Sequence, residues 1–263
     1  MVRHNLGVGL VCVVLAFVSG CGGEAAPTCG SGPGAAACTR VLFLGNSYTF
    51  VNDLPSTFAQ LAHSAGRSVE VGMIADGGET LSQHAASTED SAKIAAAPWS
   101  YVVLQEQSDT PAYSWANSYM YGPTQTLARQ AAKAGAMPML FMTWAHKDGE
   151  PSAGLATYEA AQARIEATYL ELAGQLRLPV APVGDAWLHV HADHPEMSLW
   201  QDDGSHPTSI GTYLAACVFY AAIFRASPDG LAFHGGVSDA DARILQSEAR
   251  GRVLDMPSQW GLN

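Results

Sequence analysis

From residue 40 onwards, short apolar segments alternate with longer segments in which apolar residues recur at helical spacing. Short apolar runs without polar alternation are typical of strands that are buried on both faces of a parallel sheet. Consecutive parallel strands need crossover connections, which are usually helices, so this alternation constrains the fold more than any other feature. The strand-like segments are 40–44, 69–75, 101–105, 137–144 and 179–183.

The helical segments complete the pattern. They cover 54–65, 127–134, 158–176, 207–224 and 240–254, and neither an internal repeat nor an interdomain linker follows residue 40. The sequence therefore predicts one α/β domain at 40–263, in which a mostly parallel five-stranded sheet lies between two helical layers. In such sheets, ligands bind at the carboxyl ends of the strands.

Composition excludes several classes of protein. Hydrophobic residues make up 48% of the 263, which is the share expected of a packed domain. Thirteen Lys and Arg stand against 24 Asp and Glu, which gives a formal net charge of -11. Nucleic acid is not expected as a partner, because its binding needs clustered basic side chains.

The first twenty residues are typical of an export signal. Arg3 precedes the apolar run 6–18, which is too short to span a bilayer and ends at Ser19-Gly20-Cys21. The small pair before Cys21 resembles a bacterial lipobox. This predicts a signal peptide at 1–20, lipidation of Cys21 and a flexible tether at 21–39. The alternatives are an ordinary signal peptide and an N-terminal anchor helix.

Such a protein would be an exported lipoprotein, periplasmic or at the cell surface, that contacts the membrane only through its lipid. Cys29 and Cys38 could then close a small disulfide loop in an oxidising compartment. Cys217 lies in an apolar helical segment and is expected to be buried. No Cys-x-x-Cys spacing supports a structural zinc site.

Two segments carry the residues of a nucleophilic mechanism. Ser47 follows the first strand in Gly45-Asn46-Ser47, where its hydroxyl is exposed at the sheet edge. Asp203 and His206 lie three residues apart in one loop before a helix. Because a serine hydroxyl needs a base that is oriented by an acid, these three residues form a candidate catalytic triad.

These segments resemble the SGNH hydrolases, the superfamily of GDSL-type lipases and esterases, from about residue 41 to 224. The resemblance implies a flavodoxin-like fold and acyl transfer by Ser47, His206 and Asp203 without a cofactor. It also places Gly78, after the second strand, in the oxyanion hole beside the N–H of Ser47.

The sequence departs from the superfamily pattern at two positions. Asn46 replaces the usual aspartate of the first motif. The third motif reads Gln105-Glu106-Gln107-Ser108 and resembles that of the sialate and xylan acetylesterases. The resemblance favours Gln105 as the side-chain donor to the oxyanion, although Gln107 shares its face of an extended strand.

The substrate that the resemblance implies is a short-chain ester, with acetyl groups on carbohydrate as the leading candidate. Gln107 and His146 are predicted to contact it. The rings of Trp144 and Trp200 fall in loops on the ligand side, where they could stack on sugars.

Two further classes of function stay open. His189, His191 and His194 form a cluster in which a His-x-His pair on a strand would point both rings the same way, as in a metal-dependent hydrolase. The third class is a surface-anchored binding protein that has kept the fold without its activity.

Overall fold

The computed structural model describes Cys29 and residues 38–263. Its strands are β1 (Cys38–Gly45), β2 (Ser68–Ala75), β3 (Tyr101–Leu104), β4 (Met137–Phe141) and β5 (Val180–Ala181). All strand pairs are parallel, in the order β2-β1-β3-β4-β5. This is the strand order of flavodoxin-like folds, so the predicted fold class is confirmed. β1 begins at Cys38, inside the segment predicted to be tether.

The helices between these strands match most of the predicted segments. Four helices were not predicted: those at 47–50, 81–86 and 88–96 are short, and that at 183–193 includes the His-x-His pattern that was interpreted as a strand. In chain order, the α-helices of the described residues are α1 (Ser47–Phe50), α2 (Leu54–Ser64), α3 (Leu81–Ala86), α4 (Thr88–Ala96), α5 (Ala116–Lys133), α6 (Tyr158–Leu176), α7 (Val183–Asp193), α8 (Ser209–Phe224) and α9 (Asp239–Leu254).

The order of the strands sets the layers and the position of the site. The chain moves from β1 outwards to β2 and then returns past β1 to β3. Because such crossovers are right-handed, α2 lies on one face of the sheet and α3 and α4 lie on the other. α8 packs beside α2, whereas α5 packs against α3, α4 and α6. The reversal at β1 opens a crevice at the carboxyl ends of β1 and β3.

The C-terminal segment, in which the sequence shows no motif, completes the packing. Arg252 on α9 donates from Nε to the buried carboxylate of Asp185 on α7, at 2.6 Å. The indole N–H of Trp260 donates to the carbonyl of Arg252, at 2.7 Å, and Trp260 is fully buried. This segment therefore holds α7 and α9 together, below the site.

The predictions for the N-terminal region are tested only in part. The signal peptide at 1–20, Cys21 and most of the tether lie outside the described residues. Cys29 and Cys38 form a disulfide, a pairing that the sequence left open, and Cys217 is a buried free thiol, as predicted. Among the described residues, no helix is both long and apolar enough to cross a membrane.

Candidate active site

Ser47 is the first residue of α1 and follows β1 after a single residue. A side chain at Gly45 would place its Cβ 2.5 Å from Oε1 of Gln105 and still closer to Oγ1 of Thr49, so the strand can end here only in glycine. Ser47 is half-buried, and its N–H has no acceptor among the described residues. The turn thus presents a hydroxyl and an N–H at the carboxyl end of a central strand.

Asn46 holds this turn through all four hydrogen bonds that its side chain can form. Its Oδ1 accepts from the N–H of Tyr48 (3.1 Å) and from Nε2 of Gln105 (2.8 Å). Its Nδ2 donates to the carbonyls of Glu79 (3.0 Å) and Glu106 (3.4 Å). An aspartate would set a carboxylate oxygen against those two carbonyl oxygens, which explains why this chain carries asparagine here.

Gln105 supports the turn and does not face the crevice. The residue is fully buried, and its Oε1 accepts from the N–H of Asn46 (3.0 Å) and from Oγ1 of Thr49 (2.8 Å). Its two amide hydrogens go to Oδ1 of Asn46 and to the carbonyl of Glu106 (2.6 Å). The prediction that Gln105 donates to an oxyanion is therefore wrong, because the amide has no free hydrogen.

Gln107 is half-buried, and one of its two amide hydrogens has no acceptor among the described residues. Its Oε1 accepts from the N–H (3.1 Å) and the hydroxyl (2.9 Å) of Thr110. Its Nε2 donates to Oγ of Ser108 at 3.1 Å. The amide is thus oriented by Thr110 and has a hydrogen to offer to a ligand.

Gly78 lies in the exposed turn that follows β2 and has a φ of 72°, which favours glycine. The carbonyl of the next residue, Glu79, accepts the bond from Asn46 described above. The turn is therefore fastened to the residue before Ser47. The N–H of Gly78 has no acceptor in the part of the chain that the structure describes.

The loop before α8 holds the histidine and its acid. Nδ1 of His206 lies 2.6 Å from Oδ2 of Asp203, while Oδ1 of Asp203 accepts from the N–H groups of Ser205 and His206, each at 2.9 Å. The bond from His206, followed by that from Ser205, lowers the pKa of Asp203 to about 2. The acid is thus ionised, and it fixes the ring so that Nε2 is left for other chemistry.

Tyr48 joins this loop to the turn of Ser47. Its hydroxyl lies 3.0 Å from Oγ of Ser205, and its ring meets the ring of His206 edge-on, with 6.1 Å between the centroids. Burial raises the pKa of Tyr48 far above its usual value, so the hydroxyl keeps its proton. Because Tyr48 is the neighbour of Ser47, the loop of His206 lies against the turn that carries Ser47.

The two tryptophans predicted to stack on sugars are buried. Trp144 is fully buried between the rings of Tyr48 (4.4 Å) and Trp187 (4.0 Å), and it donates to the carbonyl of Ser205. Trp200 is 7% exposed and donates to the carbonyl of Ala145. The stacking prediction is wrong for both, because neither ring has an open face. They support the loop of His206 from below.

His146 lies on the rim of the same crevice, in the loop after β4. Its Nδ1 is 2.8 Å from Oε1 of the buried Glu150. The pKa of His146 is raised, mainly by the hydrogen bond to Glu150 and to a smaller extent by the charges of Asp109 and Asp203. The N–H of the next residue, Lys147, donates to the carbonyl of Gly204 at 2.8 Å, so His146 lies beside the loop of His206, where substrate contact stays a prediction.

Sequence reasoning missed a buried histidine beneath the turn. Nε2 of His84 lies 2.9 Å from the carbonyl oxygen of Gly45, and Nδ1 lies 2.5 Å from Oδ2 of Asp90. The ring of His84 thus connects the end of β1 to the carboxylate of Asp90 on α4. No sequence signal marks this pair, because it spans two short helices, α3 and α4.

The metal alternative is contradicted by the helix that carries its residues. His189 and His191 lie on α7 rather than on a strand, so a spacing of two places them on opposite sides. Among the described residues, the only group with donor atoms close enough to share a metal ion is Glu79, His84 and Asp90. Both nitrogens of His84 are already bonded there.

Comparison with known proteins decides the family. No protein-family model and no curated protein matches the sequence. A solved structure from Slackia heliotrinireducens, assigned to the SGNH hydrolases, is 27% identical, with 70% of this chain and 97% of that chain covered and a TM-score of 0.59. The chain belongs to the SGNH hydrolase superfamily. It is an enzyme of the class that hydrolyses ester bonds.

Two more distant structures share the fold of this SGNH hydrolase. A DUF4886 family protein from Bacteroides uniformis is 17% identical, with 84% of this chain and 96% of that chain covered and a TM-score of 0.72. An acetyl xylan esterase is 14% identical, with 70% and 99% covered and a TM-score of 0.57.

Proposed function

We propose that this SGNH hydrolase is a serine esterase that removes short acyl groups, acetyl above all, from carbohydrate. The observation that carries the proposal is the Asp203–His206 pair, which lies on a loop packed through Tyr48 against the turn of Ser47. A hydroxyl, an imidazole and an ionised carboxylate on segments that pack together are the parts of nucleophilic acyl transfer.

In the first half of the reaction, Oγ of Ser47 attacks the ester carbonyl while Nε2 of His206 takes its proton. Asp203 holds the other ring nitrogen and stabilises the imidazolium that forms. When the tetrahedral intermediate collapses, the ester C–O bond breaks and His206 returns the proton to the departing alcohol. The product of this half is an acyl group on Ser47.

The developing oxyanion is held by the N–H groups of Ser47 and Gly78 and by the free amide hydrogen of Gln107. This assignment replaces Gln105, whose amide hydrogens hold the turn instead. Donors that are fixed before reaction stabilise charge without reorganisation, at about 3 kcal/mol for each donor. Thr110 fixes Gln107 in this way.

In the second half, water attacks the acyl-enzyme and His206 again removes a proton. The carboxylic acid leaves, and Ser47 regains its hydrogen from the imidazolium. No cofactor takes part, because every proton moves between the substrate, water, Ser47 and His206.

Covalent capture tests the nucleophile. We expect a fluorophosphonate probe to label the native chain and p-nitrophenyl acetate to be hydrolysed. Ser47→Ala should abolish labelling and nearly all turnover, whereas Ser64→Ala, at an exposed serine of α2, should change neither. Unchanged turnover in Ser47→Ala, with loss of activity on chelation, would exclude the serine mechanism.

The length of the acyl chain is tested with p-nitrophenyl acetate and p-nitrophenyl octanoate. The similarity of the third motif to that of acetylesterases, and the shared fold of an acetyl xylan esterase, support a preference for acetate. A higher kcat/KM on octanoate would reject the short-chain part of the proposal and leave the serine mechanism intact.

We also propose export and lipidation at Cys21. The apolar run 6–18 before Ser19-Gly20-Cys21 supports this, and so does the Cys29–Cys38 disulfide, since such bonds persist in oxidising compartments. Growth with an alkyne-tagged fatty acid should label the native chain in the membrane fraction. Cys21→Ser should lose the label; a label that persists would reject lipidation at this residue.

A further inference from the structure

Three aromatic side chains form an exposed cluster beside the crevice. Tyr113 and Trp115 are stacked with 5.0 Å between their centroids and 20° between their planes, and Tyr119 meets Trp115 edge-on at 5.5 Å. Trp115 is 49% exposed and Tyr119 is 40% exposed. We call these three residues the aromatic rim. Apolar rings that stay in water as a group usually mark a binding surface.

The aromatic rim belongs to the same edge of the sheet as Ser47. It follows Gln107 and Thr110 along the chain and leads into α5, which begins at the carboxyl end of β3. The hydroxyl of Tyr113 lies 2.8 Å from Oγ of Ser152, in the loop after β4. This bond fixes the rim to the loop whose Glu150 pairs with His146.

The rings are pre-ordered for a flat ligand. Stacking fixes the pair Tyr113–Trp115, and the bond to Ser152 fixes the tyrosine, so little side-chain freedom is lost when a ligand docks. A broad aromatic face suits the C–H face of a pyranose ring, while Gln107 and His146 nearby offer polar atoms for its hydroxyls. Pockets that combine apolar faces with a few placed polar groups are typical of small-ligand sites.

The charges around the rim select against other ligands. The loops on this edge carry acidic residues and one exposed lysine, Lys147. A polyanion or an anionic lipid surface would be repelled by such a rim, whereas a neutral glycan would not. The acidic residues include Asp109, Asp148, Asp202 and Asp203.

From these observations we propose that Tyr113, Trp115 and Tyr119 form a subsite for a pyranose ring of a neutral glycan whose acyl ester is held at Ser47. This inference rests on the proposed function and names its substrate class. It predicts that the rim contributes to the binding of a glycan ester and contributes nothing to the hydrolysis of an ester that is too small to reach it.

Kinetics on two substrates test the subsite. For Trp115→Ala we expect KM for partially acetylated xylo-oligosaccharides to rise at least tenfold, with kcat and the kinetics on p-nitrophenyl acetate within twofold of the native values. Tyr119→Ala should show a smaller rise. Met137→Ala is the matched control, because Met137 is an exposed apolar residue (52%) at the start of β4, at the opposite edge. Met137→Ala should leave KM and kcat unchanged for both substrates.

Binding separates this inference from the proposed function. Ser47→Ala should bind xylohexaose, measured by calorimetry, and Ser47→Ala combined with Trp115→Ala should bind it at least tenfold more weakly. Glycan binding by Ser47→Ala would support the subsite even if that variant kept its turnover. Equal KM values in native and Trp115→Ala protein, or no xylohexaose binding, would overturn the subsite. A dimer that Trp115→Ala dissociates, with KM unchanged, would also overturn it and assign the rim to self-association.

Discussion

Nε2 of His84 lies 2.9 Å from the carbonyl oxygen of Gly45, two residues before Ser47. The other ring nitrogen is bonded to Asp90, which is in turn fixed by the hydroxyl of Ser87 at 2.6 Å. His84 and Asp90 are both buried. His84 is therefore a positioning residue that fixes the end of β1 through its bond to this carbonyl oxygen.

Removal of His84 should misplace the nucleophile. We expect His84→Ala to lower kcat on p-nitrophenyl acetate by about 10- to 100-fold with a smaller change in KM. A displaced Ser47 hydroxyl affects the attack on the ester more than it affects substrate binding. The melting temperature should fall as well, since Asp90 is left buried without its partner.

His63→Ala is the matched control for His84, since His63 is an exposed histidine on α2. It should leave both kcat and the melting temperature unchanged. A His84→Ala protein that melts at a lower temperature yet keeps native kcat would show that the residue stabilises the fold without positioning Ser47.

Asn46→Asp should destabilise the protein. The new carboxylate would face the carbonyl oxygens of Glu79 and Glu106 and lose both of the bonds that Nδ2 makes. One carboxylate oxygen would keep the donors Tyr48 and Gln105, but the other would be buried against two acceptors, which costs about 3 kcal/mol or more, and urea unfolding should report that loss. Asn263→Asp, at an exposed residue, should unfold as the native protein does. Equal stability of the two variants would contradict the four-bond role of Asn46.

The two glutamines of the third motif should differ in what they affect. Gln107→Ala removes the proposed oxyanion donor, so kcat should fall by about 100- to 1,000-fold while the melting temperature changes little. Gln105→Ala removes a fully buried side chain with four hydrogen bonds and should lower the melting temperature strongly. If kcat falls in folded Gln105→Ala protein and not in Gln107→Ala, then Gln105 is the oxyanion donor and Gln107 is not.

Glu106 should make stability depend on pH. It is buried, Oε1 accepts from the N–H groups of Leu81 (3.2 Å) and Gln107 (2.7 Å), and Oε2 has no partner among the described residues. Burial raises its pKa from 4.5 to about 7. The folded state thus holds this proton more tightly than the unfolded state, so stability falls as pH rises from about 4.5 through 7.

Glu106→Gln keeps the acceptor Oε1 and carries no charge. We expect it to unfold as the native protein does near pH 4.5 and to be more stable above pH 8, by about 3 kcal/mol. Glu171→Gln, at an exposed position of α6, gives the background effect of removing one acid. If both variants follow the same pH dependence of unfolding free energy, the carboxyl of Glu106 does not titrate in this range.

Much of the fold follows from local sequence. The apolar runs at 40–44, 69–75 and 101–105 predict β1, β2 and β3 because a strand buried on both faces has no polar alternation. The periodic segment 158–176 coincides with α6. The positions of Ser47 and of the Asp203–His206 loop follow from motif order, because parallel strands bring their carboxyl ends to one edge.

The tertiary structure alone decided which way the side chains beyond the strand ends point. Gln105 and Gln107 are two residues apart, yet one is buried in the turn and the other borders the crevice, because Asn46 and Thr49 engage the first. Trp144 is buried for the same reason, since its neighbours Tyr48 and Trp187 come from distant segments. The spacing of apolar residues along the sequence indicates where a strand or a helix forms. Packing between segments remote in sequence then selects each side chain's partners.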